Sequence, residues 1–178
     1  MPLRTIEMSI QHCFGRGSAV SDLQHTDRFD AIRELIRRAP VFRGMRERDA
    51  FERSVLERER LQSTGLGHGV AVAHGRAPET ERVLIAVGVP RDGISWESPD
   101  SEPVRLLFVI ASPPRVSLDY LQALSTLVRC LRRAPLRGAL LAAPGSEALE
   151  TRIREAFLGD LRPTADPSAG RQACETTG

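Results

Sequence analysis

The sequence predicts an α/β domain of three layers, a mixed β-sheet flanked by helices, and three observations carry that prediction. Residues 83–87 and 104–110 form nearly continuous apolar runs, the mark of strands covered on both faces. Segments with apolar residues at helical spacing lie before and after these runs. Residues 91–102 between them are rich in Asp, Gly, Ser and Pro, and a connection of that kind lets the two strands form an antiparallel hairpin.

Residues 1–17 read as an N-terminal lead-in with at most one helical turn, and 18–23 as a short strand. Asp27 precedes Phe29, Ile32, Leu35 and Ile36, and Pro40 follows, which gives a helix over 28–38. A second helix is expected over 46–61, marked by Phe51, Val55 and Leu56. Arg58 continues that stripe, so its charge either snorkels at the edge of the core or points into a site. Strands follow over 69–73, 82–89 and 103–111, the last ended by Pro113 and Pro114. Ser117 can cap a helix whose inner face would be Leu121, Leu124, Val128 and Leu131. Pro135 suits the first turn of a short helix, and Gly138 weakens its middle. Ser146 can cap a last helix that buries Leu149, Ile153, Ala156 and Phe157 and stops at Gly159. The organisation expected is a lead-in over 1–17, one domain over 18–159 and a disordered tail over 160–178, where little is apolar enough to bury.

Composition narrows the function classes. The chain has 178 residues, 41% hydrophobic and 27% charged, as in ordinary soluble domains. A net charge of +2 gives no electrostatic footprint for nucleic acid. Every basic residue is arginine, which excludes a lysine-based phosphate loop or Schiff base. Cys13, Cys130 and Cys174 are far apart and form no C-x-x-C pair, which fits a reducing cytoplasm rather than a disulfide framework or a zinc site. The longest apolar run is too short to cross a bilayer, and the first residues lack the apolar core of a signal peptide.

The informative block is residues 57–76. His74 closes an apolar strand, which would set a titratable nitrogen at a sheet edge facing a loop. Gly65-x-Gly67-x-Gly69 invites a nucleotide-loop reading, but such loops follow a strand and open a helix, whereas this one follows a helix and opens a strand. In an extended segment His68 and His74 would share a face roughly 20 Å apart, too far to share an ion, so no metal is expected. His12 and His25 sit in polar surroundings and read as solvated. What remains is an imidazole with an Arg on the adjoining helix. Neutral imidazole is a good nucleophile near pH 7, and a phosphoryl group placed on it would bring up to about two negative charges that need donors. Arg58 offers a guanidinium fork, and the N–H groups around Ser63, Thr64 and Gly65 could add to it. A histidine with a purely structural role fits that position equally well.

The run from Arg58 to Gly75, RERLQSTGLGHGVAVAHG, resembles the active-site region of the fructose/mannitol-type enzyme IIA domain of the bacterial phosphotransferase system, most of all its nitrogen-regulatory branch. The family pattern is R-E-x-x-x-S-T-G-[IL]-G-x-G-[IV]-A-[IL]-P-H. Residues 27–36, 51–59, 93–96 (Gly-Ile-Ser-Trp), 103–113 and 121–124 resemble further family segments, so the likeness spans about 18–159. It implies the family's mixed sheet, with His74 as phosphoryl acceptor, Arg58 as the arginine that steadies the phosphorylated state, and no cofactor. It also implies a phosphate donor of the HPr type and, beyond it, a IIB domain or a regulatory target such as a kinase or transporter. Two positions depart from the pattern: Ala73 replaces the proline before the histidine, and Tyr120 stands where many members carry a second histidine. Tyr120 can donate a hydrogen bond to phosphate but cannot share a proton at pH 7 as imidazole does. The departures leave a second expectation open, a non-phosphorylated interaction module on the same fold.

Overall fold

A computed structural model describes residues 11–114 and 118–161. Five strands form one sheet in the order β1-β4-β5-β3-β2. They are β1 (Ala19–Leu23), β2 (Gly65–Gly67), β3 (Val70–Arg76), β4 (Leu84–Pro90) and β5 (Leu106–Ser112). The sheet is mixed: β1 runs parallel to β4 and β3 parallel to β5, while β4/β5 and β2/β3 are antiparallel. The expected hairpin across residues 91–102 is therefore present.

Alternation along the central strands sorts side chains to two cores. Ala71, Ala73, Ala86, Leu107 and Val109 face α1 (Arg28–Arg38) and α2 (Arg48–Leu61), where they meet Ile32, Leu35, Phe51 and Val55. Val70, Val72, Ile85, Val87, Phe108 and Ile110 face α3 (Leu118–Leu131), α4 (Ala134–Leu141) and α5 (Ser146–Leu161), with Leu127, Leu140, Ile153 and Phe157. These are the three layers.

Helix α1 begins and ends as expected. Asp27 caps it by accepting the Phe29 and Asp30 N–H groups at 2.9 and 3.1 Å. A 3-10 turn over Pro40–Phe42, which the helical pattern does not announce, then seats Phe42 against Phe51 with ring centroids 5.3 Å apart. His25 is not simply solvated. Its Nδ1 lies 2.7 Å from Glu34, whose buried carboxylate also accepts from Arg38 and from the Gln24 and His25 amides. Burial pushes the Glu34 carboxyl up, but these bonds outweigh it and hold the group at about 2.

Several expected boundaries shift. Helix α2 starts at Arg48. Helix α3 buries Ala123, Thr126, Leu127, Cys130 and Leu131, while Leu121 is half exposed, so its inner face keeps Leu131 but is turned by about one residue from the predicted stripe. Ser117, the expected cap, lies outside the described residues. Ser146 opens α5, and its hydroxyl accepts the Ser21 N–H of β1 at 3.0 Å. Helix α5 runs through Gly159 to Leu161, and the remainder of the expected tail lies outside the described residues. The core also reaches back before residue 18. Cys13 and Phe14 are buried, and Phe14 meets Phe157 edge-on at 5.2 Å. Glu150 accepts the N–H groups of Gly17 and Ser18 at 2.8 and 3.0 Å.

One contact positions everything around His74. The face of β3 turned to α2 carries only Ala71, Ala73 and Gly75. A Cβ on Gly75 would fall 2.6 Å from the Val55 backbone N and 2.7 Å from its Cγ2. Helix and strand therefore meet nearly at backbone distance, and the Arg76 N–H donates to Ser54 Oγ at 2.9 Å. Gly75→Ala should drive α2 off the sheet and destabilise the fold by about 1–3 kcal/mol in urea denaturation. A change within about 0.5 kcal/mol would show that the helix yields freely.

Candidate functional site

His74 does not end its strand. Strand β3 continues to Arg76, and the ladder with β5 pairs His74 with Ile110 without a break from Val70 to Arg76. Ala73 lies inside that ladder opposite Val109, so the alanine keeps a backbone N–H that proline would lack. The backbone before the histidine is thus held by pairing. The edge reading holds in part. Strand β2 pairs only with Val70 and Ala71, and among the described residues no strand flanks the outer rim of β3 beyond Val72.

Alternation turns the His74 side chain to the α3 face of the sheet, with Val70 and Val72. There its ring lies 6.2 Å from that of Tyr120, tilted by 45°. Imidazole Nδ1 is 3.1 Å from the Val72 carbonyl oxygen. A carbonyl can only accept, so the contact assigns the proton to Nδ1 and leaves the lone pair on Nε2. The half-buried ring is held below its ordinary pKa by burial; the Val72 bond works against that, and the charge of Arg58 adds to it. Burial raises the Tyr120 phenol, and Arg58 opposes the rise. One guanidinium thus bears on both rings.

Arg58 comes from the last turn of α2, where Nη1 donates to the Gln62 carbonyl at 2.9 Å and satisfies an orphan helix-end acceptor. The buried stripe of α2 is Phe51, Glu52, Val55, Leu56 and Glu59, and Arg58 sits at its half-exposed margin. The sequence had marked Arg58 as continuing the stripe. Glu59 does so instead, with its side chain fully buried. It accepts the Thr64 N–H at 3.2–3.3 Å and the Thr64 hydroxyl at 2.5 Å, with Arg28 Nη1 at 3.8 Å. Burial raises its pKa, and the Thr64 bonds, Arg28 and Arg58 oppose the rise. Polarity argued for exposure, so Glu59 escaped notice; its spacing from Val55 and Leu56 was the available signal.

Ser63, Thr64 and Gly65 form the turn from α2 into β2. Ser63 Oγ donates to the Glu97 carbonyl and accepts the Gly65 N–H at 3.3 Å. The Thr64 N–H belongs to Glu59, and the Thr64 carbonyl accepts the Val72 N–H at 3.1 Å. These groups therefore act on one another and on β3. Gly65 is tightly set, since a Cβ there would lie 2.6 Å from the Glu97 carbonyl oxygen and 3.1 Å from Trp96 Cδ1.

The glycine run beyond is a hairpin, not an extended approach. Gly67, His68 and Gly69 form its tip with φ of 84°, 55° and 70°. Asp100 latches it, accepting the His68 N–H at 2.5 Å on one oxygen and Ser98 Oγ and the Glu102 N–H on the other. The amide of His68 in particular holds the Asp100 carboxyl below its usual range. Among the described residues, no three His, Cys, Asp or Glu side chains gather where they could hold a metal ion.

The sequence pattern of the phosphoenolpyruvate-dependent sugar phosphotransferase system EIIA 2 family matches residues 14–156. A nitrogen regulatory protein of Bradyrhizobium diazoefficiens is 34% identical over 119 residues, 67% of this chain and 77% of that protein. The fructose-specific EIIABC component of Bacillus subtilis is 29% identical over 80% of this chain, which spans only 22% of that longer protein. The crystal structure of the nitrogen regulatory protein IIA-Ntr from Neisseria meningitidis superposes with a TM-score of 0.71 at 24% identity, covering 81% of this chain and 98% of that one.

The direction of the His74 shift has a measurable consequence. Proton-detected titration should give a midpoint below the ordinary imidazole value of 6.5, and Arg58→Gln should move it upward. The unfolded chain then takes up this proton at higher pH than the folded one, so His74 contributes stability that is lost as pH falls from about 6.5 through the folded midpoint. A midpoint at or above 6.5 would contradict the burial described.

Proposed function

The chain belongs to the phosphoenolpyruvate-dependent sugar phosphotransferase system EIIA 2 family, and from that premise we propose that it is a phosphohistidine carrier with His74 as the acceptor. The observation that carries this reading is the Nδ1 contact with Val72, which leaves Nε2 as the nucleophile on the half-buried ring. Nε2 attacks the phosphorus of a phosphohistidine on a carrier of the HPr type, in line with the bond that breaks. A new N–P bond forms as the donor imidazole leaves, and the proton of His74 stays on Nδ1, hydrogen-bonded to the Val72 carbonyl throughout. Arg58 stabilises the arriving charge, and the Tyr120 side of the ring offers a phenol as a further donor. Ser63, Thr64 and Gly65 serve mainly as the frame that sets β3, given how the Thr64 and Gly65 amides and the Ser63 hydroxyl are engaged.

Partner docking is supported by the surface. The exposed large hydrophobic residues among those described are Leu61, Leu66, Leu118 and Leu121. Each stands within three positions of Arg58, Gly65 or Tyr120 in the chain. Exposed apolar groups beside a charged reactive centre suit transient protein contact. The phosphoryl group then passes to a IIB domain or is read by a regulatory target, a kinase or a transporter. The likeness to a nitrogen regulatory protein favours the second outcome. Among the described residues no helix is long and apolar enough to cross a membrane, and the reading places the carrier in the cytoplasm with its donor. Tyr120 in place of an imidazole favours one alternative, a regulatory interaction module that is never phosphorylated.

Incubation with phosphoenolpyruvate, enzyme I and HPr separates the two. The carrier reading expects an acid-labile label on the wild type, none on His74→Ala, and charging slowed by about 10²-fold in Arg58→Gln. No label under conditions that charge an established enzyme IIA would leave the interaction module as the function.

A further inference from the structure

The carrier reading makes no use of Glu59, yet this is the carboxylate placed deepest at the site, with no side-chain exposure. A buried carboxylate is costly to maintain unless its bonds are well made. Here its bonds converge on one residue, since both oxygens approach the Thr64 N–H and one also takes the Thr64 hydroxyl proton. Thr64 is thereby pinned at two points. Its carbonyl accepts the Val72 N–H, and the Val72 carbonyl accepts the His74 Nδ1–H.

These contacts form a relay of position. In an extended residue the N–H and C=O point to the same side, so fixing the Val72 N–H on the rim of β3 also fixes its carbonyl there. Beyond Val72 no described strand holds that rim. The ladder with β5 sets the plane of this stretch from its inner edge, and on the outer rim Thr64 is the described backbone partner that trims the Val72 position, itself held by Glu59. We infer that Glu59 is a positioning residue: through Thr64 and Val72 it holds His74 as the Nδ1–H tautomer and keeps Nε2 open to a phosphoryl donor. The inference rests on the carrier reading for its consequence but not for its geometry.

The test compares variants by two readouts. Nitrogen-15 chemical shifts of His74 report the tautomer, and transfer from phospho-HPr reports the rate. Glu59→Ala should raise the Nε2–H tautomer and slow charging on the order of 10²-fold, as expected when a reacting atom is misplaced. Glu59→Gln should largely rescue both, because its amide oxygen can accept the Thr64 N–H while its NH₂ donates to the hydroxyl. Thr64→Val keeps the shape of the turn and removes one of the two bonds, and should shift the tautomer part of the way. That variant decides the question if Glu59→Ala fails to fold. An unchanged tautomer in Thr64→Val and in any folded Glu59→Ala overturns the inference, as does a charging rate within twofold of wild type in folded Glu59→Ala. If the wild type takes no label, the carrier reading falls, and the tautomer shifts still decide the role of Glu59.

Discussion

Helix α2 can lie on β3 at backbone distance only because the strand presents Ala71, Ala73 and Gly75 to it. That constraint sets the height of the helix over the sheet, and the height sets where its last turn ends. From the last turn come Arg58, whose charge reaches His74 and Tyr120, and Glu59, which secures the following turn. Larger side chains on this face of β3 would lift the helix and carry both residues away. The functional geometry is thus a packing consequence of small residues in a strand, felt on the opposite face of the sheet.

Charge at the site is arranged by depth. Glu59 is sealed between Arg28 and Thr64, so its negative charge acts on the frame. Arg58 is half exposed and tied by one nitrogen to the Gln62 carbonyl, which leaves the other donors of its fork for additional partners. Burial disfavours the charged form of the imidazole, and the nearby guanidinium disfavours it further. On the proposed carrier reading, the cation that adds to the effect of burial on the ring is also the one that would receive the charge the ring acquires.

Much of this was legible in the sequence. Helix α1 was bounded correctly because Asp27 and Pro40 mark both its ends chemically. The central strands were found but displaced by one to three residues, since apolar runs record burial whereas strand ends are set by pairing. The β2–β3 hairpin was hidden because its glycines suit any turn; the left-handed backbone at residues 67–69 and the Asp100 latch are made by contacts distant in sequence. The helical stripe drew attention to Arg58 and the end of an apolar run to His74, while the ordered motif supplied the roles expected of them. Glu59 was hidden in the same motif, because a carboxylate is expected in water until its partners are seen.

The aromatic inventory has a practical side. The chain has one tryptophan and one tyrosine, and they stand at two different parts of the site. Trp96 backs the turn at Gly65, and Tyr120 lies across from His74. The tyrosine therefore reports on the ring itself, and the tryptophan on the turn that frames β3. Their ultraviolet absorption and emission can follow the ring and the turn separately, with no dye attached and no other indole or phenol of this chain contributing background.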